Sequence, residues 1–189
     1  MTREKNIAFI ALFAALIAAL GLIPAINMPW GVPVTAQSLG VMLAGAVLGA
    51  KRGFLSVLLF VGLVALGLPL LAGGRGGLGV FASPTAGFVI GFPIAAFFTG
   101  LVMEKLSDMD VRLSAGIGAF AGGVVALYIC GIFGFWAIMN FSMGNERSIA
   151  DATFVMSVYI PGDLIKVIAT ALVTHAIYRA RPQYVLTRA

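Results

Sequence analysis

The sequence predicts an all-α integral membrane protein with six transmembrane helices and with its N- and C-termini in the cytoplasm. Its residues are 61% hydrophobic and only 10% charged, whereas about a quarter of the residues in soluble domains are charged. Six stretches of mostly uncharged apolar residues reach the roughly 18 residues that a membrane-crossing helix needs. With their short loops they occupy all 189 residues. We therefore expect one transmembrane domain, residues 1–189, and no soluble catalytic or nucleotide-binding domain.

The predicted spans differ mainly in the polar residues that they contain. They are Ile7–Ile23, Val34–Ala50, Phe54–Leu71, Pro84–Met103, Leu113–Asn140 and Phe154–Ile177. The first span follows two basic residues, as the apolar region of a signal peptide does. Its apolar run is longer than that region usually is, and it precedes no convincing small-residue cleavage site, so we expect it to be retained.

The basic residues predict the orientation of the spans. With the N-terminus inside, the outer loops hold only Arg75 and Arg147. The cytoplasmic side carries Arg3, Lys5, Lys51, Arg52, Lys105, Arg112, Arg179, Arg181 and Arg188. This asymmetry satisfies the positive-inside rule for an even number of spans. The net charge of +5 does not indicate nucleic-acid binding, because the basic residues are scattered rather than clustered on one surface.

Small alanines three and four residues apart form a smooth stripe on the first span. They are Ala11, Ala14, Ala15, Ala18 and Ala19. Within a bilayer, small residues allow helix backbones to approach closely. The stripe therefore predicts a docking face, either for another membrane protein or for other helices of the same chain.

A loop with three prolines precedes the second span, and the first residues of that span include the polar Thr35, Gln37 and Ser38. Proline stiffens the loop, which could form a lid. Uncharged hydrogen-bonding groups can orient a ligand at modest desolvation cost. Thr35 or Ser38 could alternatively cap the helix, whereas Gln37 is harder to explain in that way.

The connection after the third span contains five glycines in the seven residues 73–79. Backbone without side chains can lie close to a ligand, and successive N–H groups can bind an anionic oxygen. Arg75 and Gly79 are therefore candidate binding residues, although Arg75 could simply remain hydrated and the segment could be a flexible connector. The chain lacks the phosphate-binding motif G-x-x-x-x-G-K-[ST], so we expect no ATP binding by that route.

Two charged side chains stand at the start of the sixth span, in Pro161-Gly162-Asp163-Leu164-Ile165-Lys166. An ionised side chain at the bilayer centre costs about 2.5–3.5 kcal/mol on insertion scales, so such residues usually line a cavity or a ligand path. Their spacing of three places Asp163 and Lys166 on one face of a helix. The alternative is an ion pair that only neutralises itself.

The polar candidates converge on the outer side in this topology. An apolar cavity with a few polar groups is typical of small-molecule sites, and we favour a ligand contact for the aromatic Tyr128 of the fifth span. Enzymatic activity is not expected, because only Asp163 qualifies as a membrane carboxylate and no base lies near a serine. We expect neither a metal nor a cofactor. The residues predict capture of a small solute from outside.

Three separated motifs closely resemble BioY, the substrate-binding S component of energy-coupling-factor (ECF) biotin transporters. They are residues 33–45, the glycine loop with residues 83–92, and residues 161–166. The resemblance implies an S-component fold in a prokaryotic plasma membrane and high-affinity biotin binding near the outer face. It also implies partners, namely a coupling membrane protein (T component) and two cytoplasmic ATPases that use ATP. The alanine stripe would meet the coupling protein, through Ala11, Ala15 and Ala19 or through Ala14 and Ala18.

The family's ligand suits the candidate residues. Asp163 can accept from a urea N–H while Lys166 donates to an oxygen, with the tail carboxylate near Gln37, the glycine loop or Arg75. The reverse pose, with Lys166 on the carboxylate, stays open. Phe88 stands where the family often has tyrosine, so a hydroxyl is absent there. An S component, or a stand-alone secondary transporter, for another small vitamin is the alternative.

Overall fold

The protein is all-helical, as predicted. The computed structural model describes residues 3–26 and 28–188, and within these ranges no β-strand forms. The described residues form the helices α1 (Arg3–Leu20), α2 (Gln37–Leu48), α3 (Ala50–Ala65), α4 (Ala86–Lys105), α5 (Val111–Ser142), α6 (Ile149–Ser157) and α7 (Ile160–Ala180). Short 3-10 helices cover Leu78–Ala82 and Pro182–Tyr184.

Three helices, α4, α5 and α7, are long and apolar enough to cross a membrane by length and composition. The helix α2 has 12 residues and α3 has 16, while α1 begins with the charged residues 3–5. The predicted sixth span, Phe154–Ile177, is divided, because α6 ends at Ser157 and α7 begins at Ile160. Pro161 lies in the first turn of α7, where its missing N–H costs no hydrogen bond.

Glycines allow α4 to pack closely against its neighbours. A Cβ on Gly45 of α2 would overlap the carbonyl oxygen of Ala96, and a Cβ on Gly87 of α4 would overlap that of Cys130 on α5. Each of these glycines stands four residues before another, Gly49 or Gly91, a spacing that favours such close approach of helices. Gly49, with a φ of 87°, forms the one-residue turn between α2 and α3.

The long helix α5 is not a regular α-helix. Residues 120–126 and 138–142 form π-helical segments, in which each turn takes more residues than an α-turn does. The first segment contains Gly122 and Gly123, and a Cβ on either one would overlap a neighbouring side chain, Thr99 of α4 or Met42 of α2. The wider turns therefore form where α5 is pressed against two helices.

Apolar side chains cover the outside of the helices as well as the core. On α7, Ile165, Ile168 and Leu172 are 56–69% exposed and share one face by their spacing. Further exposed apolar residues, among them Leu12 of α1 and Ile129 of α5, lie on other helices. An outer surface of apolar side chains is favourable in contact with lipid and unfavourable in contact with water.

The close approach of α4 to the α2–α3 turn predicts a large effect of a single methyl group. In Gly100→Ala the new Cβ would overlap backbone atoms of Gly49 and Ala50, so we expect a loss of about 1–3 kcal/mol in the free energy of unfolding. In the matched control Gly62→Ala, on α3, the Cβ meets nothing within 4 Å. Alanine favours the helix there, so this variant should be neutral or slightly more stable.

The measurement is thermal unfolding of the purified variants in one detergent. Equal midpoints for Gly100→Ala and Gly62→Ala would contradict the proposed packing role of Gly100.

Candidate small-molecule binding site

A cavity opens where the first turns of α2, α4 and α7 meet the middle of α5 and two loops. Its empty space, counted together with the open solvent at its mouth, is about 600 Å³. Its apolar lining is Val32, Pro33, Val34, Leu71, Phe88, Val89, Phe92 and Leu127. Its polar lining is Thr35, Gln37, Ser38, Arg75, Thr85, Tyr159, Asp163 and Lys166.

Asp163 and Lys166 form an ion pair in the wall of this cavity. Lys166 Nζ donates to Asp163 Oδ1 at 2.7 Å, and their side chains are only 16% and 8% exposed. Asp163 lies in the first turn of α7, where the helix dipole stabilises a negative charge. Asp163 and Lys166 therefore neutralise each other and also face the cavity. The two interpretations, an ion pair and a ligand-binding pair, are compatible.

Two hydroxyl groups from other helices complete the surroundings of Asp163. Tyr128 OH of α5 donates to Oδ2 at 2.6 Å, and Ser38 Oγ of α2 donates to Oδ1 at 3.2 Å. Ser38 in turn accepts from Lys166 Nζ at 2.9 Å. Ser38 is not the helix cap, because it lies inside α2, and the N-cap residue Ala36 makes no side-chain capping bond.

This network leaves a specific set of hydrogen-bonding groups available to a ligand. A carboxylate offers about four acceptor positions and an ammonium three donors. Within the described part of the chain, Asp163 accepts from three donors and Lys166 donates to two acceptors. One acceptor position on Asp163 and one proton on Lys166 remain, side by side in a buried wall.

Gln37 connects three parts of the chain. Its Nε2 donates to the carbonyl oxygens of Ile17 and Leu70, at 3.2 and 3.0 Å, and its Oε1 accepts from the N–H of Ala72 at 3.0 Å. Both amide protons are used, and the side chain is 1% exposed. It lines the cavity, where its oxygen can accept one further bond, but its main contacts hold α1 and the glycine loop in place.

Arg75 reaches the cavity from the glycine loop. Its Nη1 donates to Thr85 Oγ1 and its Nε to the carbonyl oxygen of Ala72, both at 3.3 Å. Burial lowers the pKa of Arg75 from its ordinary value, but a guanidinium stays charged at neutral pH. No carboxylate of the described residues pairs with it, so its charge can meet an anionic group of a ligand.

The proline-containing loop is attached to the start of α7. Trp30 Nε1 donates to Tyr159 OH at 2.6 Å, and Tyr159 OH donates to the carbonyl oxygen of Val32. The sequence analysis did not identify Tyr159. Only its position two residues before Pro161 could have drawn attention to this tyrosine.

The structure gathers most, but not all, of the predicted binding residues around the cavity. Thr35 lines it, and its hydroxyl bonds to no other described residue. Phe88 also lines it, with its ring 6.0 Å from that of Tyr128. Tyr128 is 6% exposed and lies behind Asp163, outside the lining. Gly79 is exposed in a 3-10 helix and is not part of the cavity.

The alanine stripe of α1 divides into two faces. Ala11, Ala15 and Ala19 are exposed, each four residues from the next. Ala14 is 5% exposed and belongs to the core, and Ala18 is partly buried and packs against that core. Ala14 and Ala18 therefore contact their own chain, the alternative that the sequence left open for the stripe, whereas docking on Ala11, Ala15 and Ala19 stays a prediction.

Comparison with known proteins identifies the family. The family model "BioY family" matches residues 1–183. "Biotin transporter BioY" of Rhodobacter capsulatus is 56% identical over 188 residues, covering 98% of this chain and 99% of that protein. The protein of the same name in Rhizobium etli is 45% identical over 186 residues, covering 94% and 95%.

A solved structure agrees with these relatives. The crystal structure of the S-component for biotin from an ECF-type ABC transporter superposes with a TM-score of 0.84 at 30% identity, and the match covers 98% of this chain and 99% of that one. The fold and the sequence lead to one conclusion: the chain belongs to the BioY family.

Proposed function

We propose that this chain is the biotin-binding S component of an ECF-type transporter and that it captures biotin at the outer face of the cell membrane. The relatives named as biotin transporters support this function. The observation that carries it is the Asp163–Lys166 pair, which leaves one acceptor and one donor in the wall of a mostly apolar cavity. The chain binds its ligand without transforming it and needs no cofactor, while partner subunits use ATP.

The remaining acceptor and donor match one edge of a cyclic urea. An N–H of the urea donates to Asp163 Oδ2, and the neighbouring C=O accepts from Lys166 Nζ, in charge-assisted bonds shielded from water. A carboxylate in the same place would offer only acceptors, and these would face Asp163. This difference favours the urea over the tail carboxylate at this end of the cavity.

The tail carboxylate is assigned to Arg75. Its guanidinium has protons left after its bonds to Thr85 and Ala72, and it can bind a carboxylate through two of them. Phe88, Phe92 and Leu127 line the cavity together with these polar groups and suit the apolar sulfur ring and tail. In this pose biotin extends from the Asp163–Lys166 pair at one end of the cavity to Arg75 at the other.

Six crossings with both termini in the cytoplasm fit this function. The helices α4, α5 and α7 provide three crossings, and α1, α2 and α3 provide the others. The helix α2 is only about 18 Å long, but all of its residues except Leu39 are buried. Irregular backbone at membrane depth is tolerated where protein surrounds it. The short α6 then lies at the outer side, before α7.

The coupling protein docks on the exposed alanines of α1. Ala11, Ala15 and Ala19 offer a smooth strip on which another helix backbone can approach closely. The two cytoplasmic ATPases act through that coupling protein. The chain itself is the substrate-binding part, as a single domain over residues 1–189.

Removal of either charge should abolish tight binding. Asp163→Asn and Lys166→Ala each lose a hydrogen bond to a charged group, worth about 1.5–3 kcal/mol, so we expect biotin affinity to fall about 10- to 150-fold. Isothermal titration of the purified protein measures this, with the exposed Glu146→Gln as control. Changes below about threefold in both variants would refute the site, and binding of thiamine, riboflavin or lipoate instead of biotin would refute the ligand.

The orientation of biotin can be tested with its methyl ester, which lacks the carboxylate charge. Arg75→Ala should weaken biotin about tenfold or more and the ester at most about twofold, because only biotin has a charge for Arg75 to neutralise. If instead Lys166→Ala shows this difference between the ligands and Arg75→Ala does not, the ligand binds in the reverse pose.

Substitutions on α1 should separate docking of the coupling protein from binding of biotin. In Ala15→Leu the exposed position gains bulk, so biotin uptake by cells that contain the partner module should fall while binding by the purified protein stays unchanged. In the matched variant Ala14→Leu the buried position is overpacked, which typically costs about 1–3 kcal/mol, so stability should fall as well. Loss of binding in Ala15→Leu would mean that this face packs within the chain.

A further inference from the structure

Tyr128 supports the proposed biotin site from behind. Its hydroxyl donates to Asp163 Oδ2 at 2.6 Å, it is 6% exposed, and it does not line the cavity. Its ring meets Phe88 edge to face, at 6.0 Å between centroids and 83° between planes. Phe88 does line the cavity. Tyr128 therefore acts on a ligand through Asp163 and the aromatic wall.

The hydroxyls of Tyr128 and Ser38 limit what Asp163 can still accept. Oδ1 accepts from Lys166 and Ser38, which fills its two acceptor positions, and Oδ2 accepts from Tyr128. One position on Oδ2 is left. Without the Tyr128 hydroxyl there would be two, and the carboxylate could receive two N–H groups of one ligand.

We propose that Tyr128 and Ser38 determine the specificity of the site by leaving a single acceptor beside the single free proton of Lys166. This inference rests on the proposed function and adds to it the type of headgroup that is selected. The site accepts a headgroup with neighbouring N–H and C=O groups, such as a urea or a cyclic amide. It rejects a headgroup that offers only donors, such as a guanidinium, whose charge and N–H groups face Lys166.

The irregular helix α5 helps to place Tyr128. The π-helical segment Phe120–Ala126 ends two residues before it, and each residue added to a turn rotates all later side chains by about 100°. The π-helical segment therefore contributes to the direction in which the Tyr128 side chain leaves α5. Segments of this kind are frequent at functional sites.

The test compares two ligands in two tyrosine variants. The ligands are biotin and 2-iminobiotin, in which a guanidinium replaces the urea, and the variants are Tyr128→Phe and Tyr178→Phe. Tyr178 is the control, because it is a partly buried tyrosine of α7 that does not line the cavity. Binding is measured with the purified full chain at neutral pH, and thermal unfolding checks that each variant is folded.

In Tyr128→Phe we expect biotin to bind about tenfold more weakly, the typical effect of one hydrogen bond to a charged group. 2-Iminobiotin should bind equally well or better, so that the ratio of the two affinities shifts at least about fivefold toward the guanidinium ligand. In Tyr178→Phe both affinities should stay at their wild-type values. If Tyr128→Phe does not fold, Tyr128→Met replaces it, because it also removes the hydroxyl from Asp163 Oδ2 and should shift the ratio in the same direction.

A ratio that stays within about twofold of the wild-type value in Tyr128→Phe, or in Tyr128→Met where that variant replaces it, would overturn the inference. In that case normal biotin binding by the wild-type protein would leave the proposed function intact. Failure of the wild-type protein to bind biotin would remove the proposed function and this inference together.

Discussion

The site depends on one buried ion pair. Asp163 and Lys166 are charges in the first two turns of α7, which are otherwise apolar, and leaving either one unpaired in a dry interior would cost several kcal/mol. Three donors on Asp163 and the first turn of α7 offset this cost, and the pair remains in the cavity wall. A buried polar network that is almost fully satisfied is rigid, so its remaining acceptor and donor are held in fixed positions for a ligand.

The rest of the fold brings the partners of this pair together. Close packing through Gly45 and Gly87 holds α2 and α5 against α4, which places Ser38 and Tyr128 on two sides of Asp163. Gln37 ties the end of α1 and the glycine loop to the first turn of α2. The loop that carries Arg75 is thereby held beside the same cavity.

Predictions from the sequence succeeded where composition or local spacing carried the signal. The helical class follows from hydropathy, and the pairing of Asp163 with Lys166 follows from a spacing of three. Boundaries were less accurate, because an apolar window cannot show that the helix stops at Ser157 and restarts at Ile160. Gly79 was placed in the site because a run of glycines does not show which of its members face a ligand.

The sequence by itself determined that the chain is helical and apolar, that two opposite charges share one turn of α7, and that alanines line α1. Only the tertiary structure decided that Ala15 faces outward while Ala14 is buried, because adjacent stripes on a helix have the same composition. It alone also assigned Tyr128 and Ser38 to Asp163, from which they lie 35 and 125 residues away. Contacts at such separations depend on how helices pack, and local periodicity carries no information about that packing.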